Sequence, residues 1–240
     1  MIASALHLSR SDVKALKITD AYSLHRVVYD LFDDIRTETE KKASVSSGIL
    51  YADKGGDFNG LRILILSNRQ PNTPELGELS IKKIPDSFLD YVHYQFEVVV
   101  NPTKRDTLKR NEEGKKISGK IIALRSREEI AEWFITKAPA WGFKVSSEHL
   151  EIGAVSVKRF EKHKGGHTVT QGQANVRGRL EIIDKAKFIQ SFQQGIGRGR
   201  AFGCGLLQIV PINKSPLDVA GVSLALTADE IVDFIHEGRK

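Results

Sequence analysis

One cysteine in 240 residues leaves no room for an internal disulfide framework and suits a reducing compartment. The chain has no charged-then-apolar start, and no apolar run approaches the roughly 20 residues that a membrane helix needs. We therefore expect a cytoplasmic protein with no membrane contact. The phosphate-binding signatures of nucleotide enzymes are missing too. No G-x-x-x-x-G-K-[ST] occurs, and the near-match to G-x-G-x-x-G that begins at Gly197 has Phe202 where its last glycine belongs. Its glycines precede an apolar strand instead of following one, which reverses the order of a P-loop or dinucleotide turn. Mononucleotides and dinucleotides drop out as ligands. His163 and His167 sit close together, but no cysteine or carboxylate cluster accompanies them, so we expect no metal and no other cofactor.

What is present points to a polyanion. The chain is 40% hydrophobic, enough for one large or two small cores, and its net charge is +6. The excess is local. Residues 158–200 hold ten Lys or Arg against three Asp or Glu, and residues 101–127 hold nine against three, so the remainder is net acidic. Cations gathered in two blocks describe a docking face for nucleic acid better than a solvated surface.

The segment from Gly195 to Leu207 places five glycines, with Arg198 and Arg200, in eleven residues before an apolar strand. Glycine has no Cβ to hold a ligand off and reaches φ > 0, where successive N–H groups can converge on a phosphate. Gly195, Gly197 and Gly199 are the expected points of approach. Glycines in such a place equally allow a helix, a loop and a strand to pack closely, and the segment alone leaves both readings open.

Apolar periodicity predicts strands at 2–8, 48–51 and 61–66, with an amphipathic helix over 20–36 between the first two. After a Pro/Asn-rich connection the pattern gives a strand at 91–100 and a helix at 125–137. Strands at 143–145, 153–160 and 169–183 follow, then a helix at 185–194 and a strand at 206–210. The order is that of the split β-α-β, ferredoxin-like (RRM-like) arrangement twice over, an α+β chain. We expect domains at 1–88 and 89–212 and a C-terminal extension at 213–240, in which Thr227 and Glu230 form a capping box for a short amphipathic helix. Lys158 to Thr168 reads as a basic hairpin turning at Gly165-Gly166. Such a ribbon can follow the phosphates of an RNA stem.

Three motifs together resemble the CasE family of CRISPR-associated endoribonucleases, members of a repeat-associated superfamily. They are Ala21-Tyr-Ser-Leu-His-Arg26 opening the first helix, Val100-Asn-Pro-Thr-Lys-Arg105 after the middle strand, and the glycine-rich segment. The likeness covers 1–212. The glycine loop alone marks only the superfamily; the first two motifs narrow it. Ala21 stands where a proline is common, and Asp20 can still cap the helix.

The resemblance implies cleavage of precursor CRISPR RNA at its repeat hairpin, retention of the product, and partnership with the other subunits of a Cascade complex, so that target DNA is met only through the assembly. It also implies metal-independent chemistry, with the ribose 2′-OH as nucleophile and a 2′,3′-cyclic phosphate as product. Such a reaction needs a proton carrier, and histidine is the side chain whose ordinary pKa lies near neutrality. His25 is expected in that role, as acid or base, with Tyr22 three positions earlier on the same helix face. Tyr-x-x-His on a helix is by itself equally a packed or exposed pair; the family resemblance gives it meaning. His7, His93, His149 and His236 read as structural or surface residues. Lys104, Arg105, Lys158, Arg159, Arg177, Arg179, Arg198 and Arg200 are the expected RNA contacts. Two rival readings are a non-catalytic subunit that only binds the hairpin, and a single-strand binder stacking bases on Tyr91, Tyr94 and Phe96, residues whose apolar strand favours core packing instead.

Overall fold

The structure, a computed structural model, describes residues 1–212 except 44, 106–108, 111–115, 118 and 162–167. The tip of the basic hairpin and the extension at 213–240 therefore lie outside the described residues.

The first half builds a four-stranded antiparallel sheet from β1 (Ile2–Leu8), β2 (Ile49–Asp57), β3 (Gly60–Ser67) and β4 (Glu78–Lys83), in the order β2-β3-β1-β4. Between β1 and β2 run three short helices, α1 (Arg10–Ala15), α2 (Ala21–Tyr29) and α3 (Glu38–Lys42). The second half repeats the sheet with β5 (His93–Val100), β10 (Phe143–Glu161), β11 (Thr168–Ile182) and β12 (Gln208–Pro211), ordered β10-β11-β5-β12. Its helices are α4 (Arg127–Lys137) and α5 (Lys185–Gln194). Two ribbons project after β5: β6 (Thr103–Arg105) with β9 (Ile121–Ala123), and β7 (Lys109–Arg110) with β8 (Lys116–Ile117). Both sheets share the strand order of a ferredoxin-like fold, so the chain is α+β with that unit twice.

Alternation explains the layers. In β5 Tyr94, Phe96, Val98 and Val100 are buried under α4 and α5, whose Phe134, Phe188 and Phe192 fill the second core. In the first sheet Leu6, Ile49, Tyr51, Ile63 and Ile65 pack against Leu24 and Val28 of α2. Its opposite face, Leu50, Ala52, Leu64 and Leu66, joins the core of the second half through Leu206 and Leu207.

Several boundaries differ from the sequence expectation for identifiable reasons. The first amphipathic helix stops at Tyr29, not Arg36. Leu31 and Phe32 are buried from a turn, while Ile35 is 65% exposed, so the apolar spacing outlasts the helix. The strands expected at 143–145 and 153–160 are one strand, β10, whose pairing with β11 shifts register between Val145 and Leu150 and again between Ile152 and Val155. The irregular spacing breaks the alternation without breaking the strand. Helices α1 and α3 and edge strand β4 were not expected; none contributes a buried residue to its core face strongly enough to leave a period. Tyr94 and Phe96 are core residues, which removes the base-stacking reading for them.

Candidate active site

The first turn of α2 is fixed by a reciprocal cap. Asp20 accepts the Ser23 amide at 2.8 Å, and the Ser23 hydroxyl accepts the Asp20 amide at 2.9 Å. From that start, Tyr22, His25 and Tyr29 fall at spacings of three and four and share one helix face. The Tyr22 and His25 rings lie 6.2 Å apart and nearly parallel, at 23°. Tyr29 is closer, 4.1 Å from the imidazole.

The opposite wall comes from the glycine-rich loop. All five of its glycines have positive φ, between 70° and 83°, so the chain doubles back and a 3-10 turn at Arg200–Phe202 projects toward α2. Phe202 lies 5.4 Å from the His25 ring and 4.6 Å from Phe160 of β10. Tyr51 of β2 donates its hydroxyl to the Ala201 carbonyl at 3.2 Å, and Gln173 of β11 donates to the Phe202 carbonyl at 3.2 Å. The loop is thus tied to both sheets. Beneath it the Gln171 and Gln173 amides donate to Cys204 Sγ at 2.9 and 3.5 Å; burial pushes this thiol up to about 11, so it fills space as a neutral group.

The loop glycines do not share one job. A Cβ on Gly199 would lie 2.6 Å from Gln171 Nε2, and one on Gly195 would lie 2.8 Å from Leu50 Cδ2, so contacts inside the protein already require these two. A Cβ on Gly197 would meet nothing within 4 Å, leaving room beside that backbone for a ligand.

Beside the N-terminus of α2 opens a cleft of about 550 Å³, lined by Arg10, Asp20, Ala21 and Leu24 and, from the second half, by Lys158 and Arg159. Lys158 is held there by Asp53 of β2, 3.1 Å from its Nζ. The eight expected cations are therefore distributed. Lys158 and Arg159 line the cleft, and Arg198 and Arg200 sit exposed on the loop, where Arg200 donates to the Gln194 carbonyl at 2.8 Å. Arg177 and Arg179 lie on the polar face of the second sheet, with Arg177 forked onto Glu151 at 2.9 and 2.7 Å. Lys104 and Arg105 belong to β6, where Lys104 pairs with Glu129 at 2.8 Å.

Sequence reasoning did not assign Tyr29, Phe160 or Phe202. Tyr29 was recoverable as the i+4 neighbour of His25, and Phe202 as the only aromatic in the glycine segment. Phe160 carried no signal, because its contact is made across the fold. Among the described residues no three His, Cys, Asp or Glu side chains converge to hold a metal ion, and no helix is long and apolar enough to cross a membrane.

This arrangement can be set beside known proteins. The CRISPR-associated endoribonuclease Cse3 of Thermus thermophilus is 26% identical over 125 residues, which span 49% of this chain and 55% of that protein. The matched segment is thus about half the length of either. The structure of Thermus thermophilus Cse3 bound to an RNA representing a pre-cleavage complex superposes with a TM-score of 0.67 at 18% identity, covering 88% of this chain and 98% of that one. A chain of a CRISPR RNA-guided surveillance complex gives 0.61 at 20% identity, covering 88% and 100%. Both share the fold. The family described as CRISPR associated protein matches residues 1–211. The chain belongs to that family, the one to which its Ala21–Arg26, Val100–Arg105 and Gly195–Leu207 motifs point.

Proposed function

We propose that this chain is a metal-independent endoribonuclease that cuts precursor CRISPR RNA at its repeat hairpin and keeps the product within a cytoplasmic RNA-guided effector complex. The observation that carries the reading is the position of His25. It stands where the helix bearing Tyr22 meets the glycine-rich loop, and the start of the same helix, through Asp20, Ala21 and Leu24, lines a cleft rimmed by Lys158 and Arg159. The naming of the relative as an endoribonuclease and the RNA in the matched Cse3 structure support the same chemistry.

In this scheme the ribose 2′-oxygen bonds to the adjacent phosphorus while the bond from phosphorus to the 5′-oxygen breaks. One proton leaves the 2′-oxygen and one arrives at the 5′-oxygen, giving a 2′,3′-cyclic phosphate and a 5′-hydroxyl. His25 carries one of these protons, and Tyr22 orients the 2′-hydroxyl or donates to a non-bridging oxygen. Lys158 and Arg159 offset the charge gathering on the phosphorane, and Arg198, Arg200 and the Gly197 backbone hold neighbouring phosphates. The remaining cations, Lys104, Arg105, Arg177 and Arg179, extend the docking face along the stem.

The decisive substrate is the repeat hairpin with a single 2′-deoxy nucleotide at the cut. It is expected to bind within a few-fold of the all-ribose RNA and to remain intact, since one hydroxyl is worth about 1 kcal/mol in binding. The all-ribose RNA should be cut in excess EDTA. Cutting of the deoxy RNA at that bond, or a product with a 3′-hydroxyl and 5′-phosphate, would identify water as the nucleophile and overturn the scheme.

A further inference from the structure

The glycine-rich loop has a second task besides holding phosphate. We infer that Phe202 is a positioning residue for His25: the loop carries its ring from the second half of the molecule onto the imidazole and fixes that ring's orientation. The inference rests on the proposed role of His25.

The geometry is an aromatic cluster that joins the two halves. The His25 ring has Tyr29 at 4.1 Å, tilted 42°, and Phe202 at 5.4 Å, tilted 51°. An imidazole on a helix has a broad, roughly two-fold χ2 well, so its own backbone does not fix which way its nitrogens point. Two aromatic neighbours narrow that freedom. Tyr29 shares the helix with His25 and moves with it. Phe202 does not, and of the two only it can set the imidazole relative to the loop.

Phe202 is itself firmly placed. Its amide donates to the Gly199 carbonyl at 2.9 Å and its carbonyl accepts from Gln173, while the preceding carbonyl accepts from Tyr51. Its ring rests on Phe160, 4% exposed, which directly follows Lys158 and Arg159 in β10. The residues that rim the cleft and the residue that braces His25 thus share one support. The loop that offers its backbone to phosphate and the ring that aligns the proton carrier are therefore fixed by the same contacts.

The test uses the full chain and the RNA hairpin of the repeat encoded beside its own gene. Phe202→Met and Phe202→Leu should lower the single-turnover cleavage rate about 10- to 100-fold at saturating protein. Affinity for the 2′-deoxy hairpin should stay within about three-fold, and Phe202→Tyr should restore most of the rate. The imidazole resonances of His25, assigned by their loss in His25→Ala, should shift in the Met variant and return toward their original positions in the Tyr variant. If Leu loosens the fold, Met, which keeps an unbranched chain of similar reach, carries the comparison. A folded Met variant that cuts at the unsubstituted rate overturns the inference, as does a parallel fall in rate and affinity. His25→Ala separates the two levels: if it cuts normally the proton-carrier role fails, and if it is inactive while Phe202→Met is fully active only the positioning role fails.

Discussion

The two sheets have the same strand order but different means of support. The second is a complete β-α-β-β-α-β unit, with α4 and α5 burying Phe134, Phe188 and Phe192 against one face. The first has helices only between β1 and β2; a loop of ten residues joins β3 to β4 without one. The face it turns away from α2 packs instead against the second half, with Leu50, Leu64 and Leu66 in one core with Leu206 and Leu207. The proposed chemistry follows this division. The proposed proton carrier lies on the dependent half and all the expected RNA contacts on the self-supporting half, so the proposed active geometry requires the two to stay docked. Residues 206–211, which leave the glycine loop and run into β12, are therefore both interface and scaffold.

The sharpest break of the comparison separates chemistry from binding. His25→Ala should slow cleavage by about 10²- to 10⁴-fold, the usual worth of a positioned proton carrier, with hairpin affinity nearly unchanged. Single-turnover rates beside titration with the 2′-deoxy hairpin measure both. A matching loss of affinity would make the first half a binding surface too.

Next in size is the contact between the halves. Leu66→Ala removes a side chain 3% exposed from the face of β3 that leans on the second unit, at a cost of about 2–5 kcal/mol. Because that face shares one core with Leu206 and Leu207 of the second half, calorimetry should show one cooperative transition moved to lower temperature. Two separate transitions would mean that the first sheet stands alone.

A smaller effect is expected on the loop's cations. The Arg198/Arg200 double alanine should weaken hairpin binding and flatten its dependence on salt, because fewer phosphate contacts release fewer counterions. Catalysis at saturating protein should persist. An unchanged salt slope would assign both arginines to solvent.

The halves also differ in how far their sequence revealed them. Strands β1, β5 and β11 were legible because one face of each is buried and period two survives, and β3 as a continuous apolar run buried on both faces. Helices α4 and α5 were legible for the same reason at period 3.6, and Asp20 announced its cap. The end of α2 was not, since Leu31 and Phe32 keep the apolar rhythm from a turn. Nor was the unity of β10, where two register shifts interrupt it. At the candidate site, Tyr22 and His25 came from local spacing and family resemblance. The Phe202 brace and the Asp53–Lys158 pair join residues distant in sequence, and local pattern carries no trace of such contacts.

The smallest expected effect concerns the polar bridge between the halves. Lys54 of β2 reaches across to Glu97 of β5 at 2.7 Å and to Gln208 of β12 at 3.1 Å, while Asn175 of β11 donates to the other Glu97 oxygen at 2.8 Å. Burial raises the Glu97 carboxyl, but Lys54, Asn175 and Arg177 together outweigh it and hold the group below its ordinary 4.5. A carboxyl depressed on folding stabilises the folded state above its unfolded pKa, and that contribution disappears as pH falls through the lower folded value. The bridge should therefore add stability at neutral pH and lose it only below about pH 4.5. Glu97 is 22% exposed, so solvent screens the pair and the Lys54→Ala cost at neutral pH should be only about 1 kcal/mol. Denaturant unfolding of both proteins between neutral pH and pH 3 measures it. The two stability curves should converge as the acid limit is approached. A gap that stays constant with pH would show that Lys54 acts through packing of its alkyl chain between the sheets and not through the charge of Glu97.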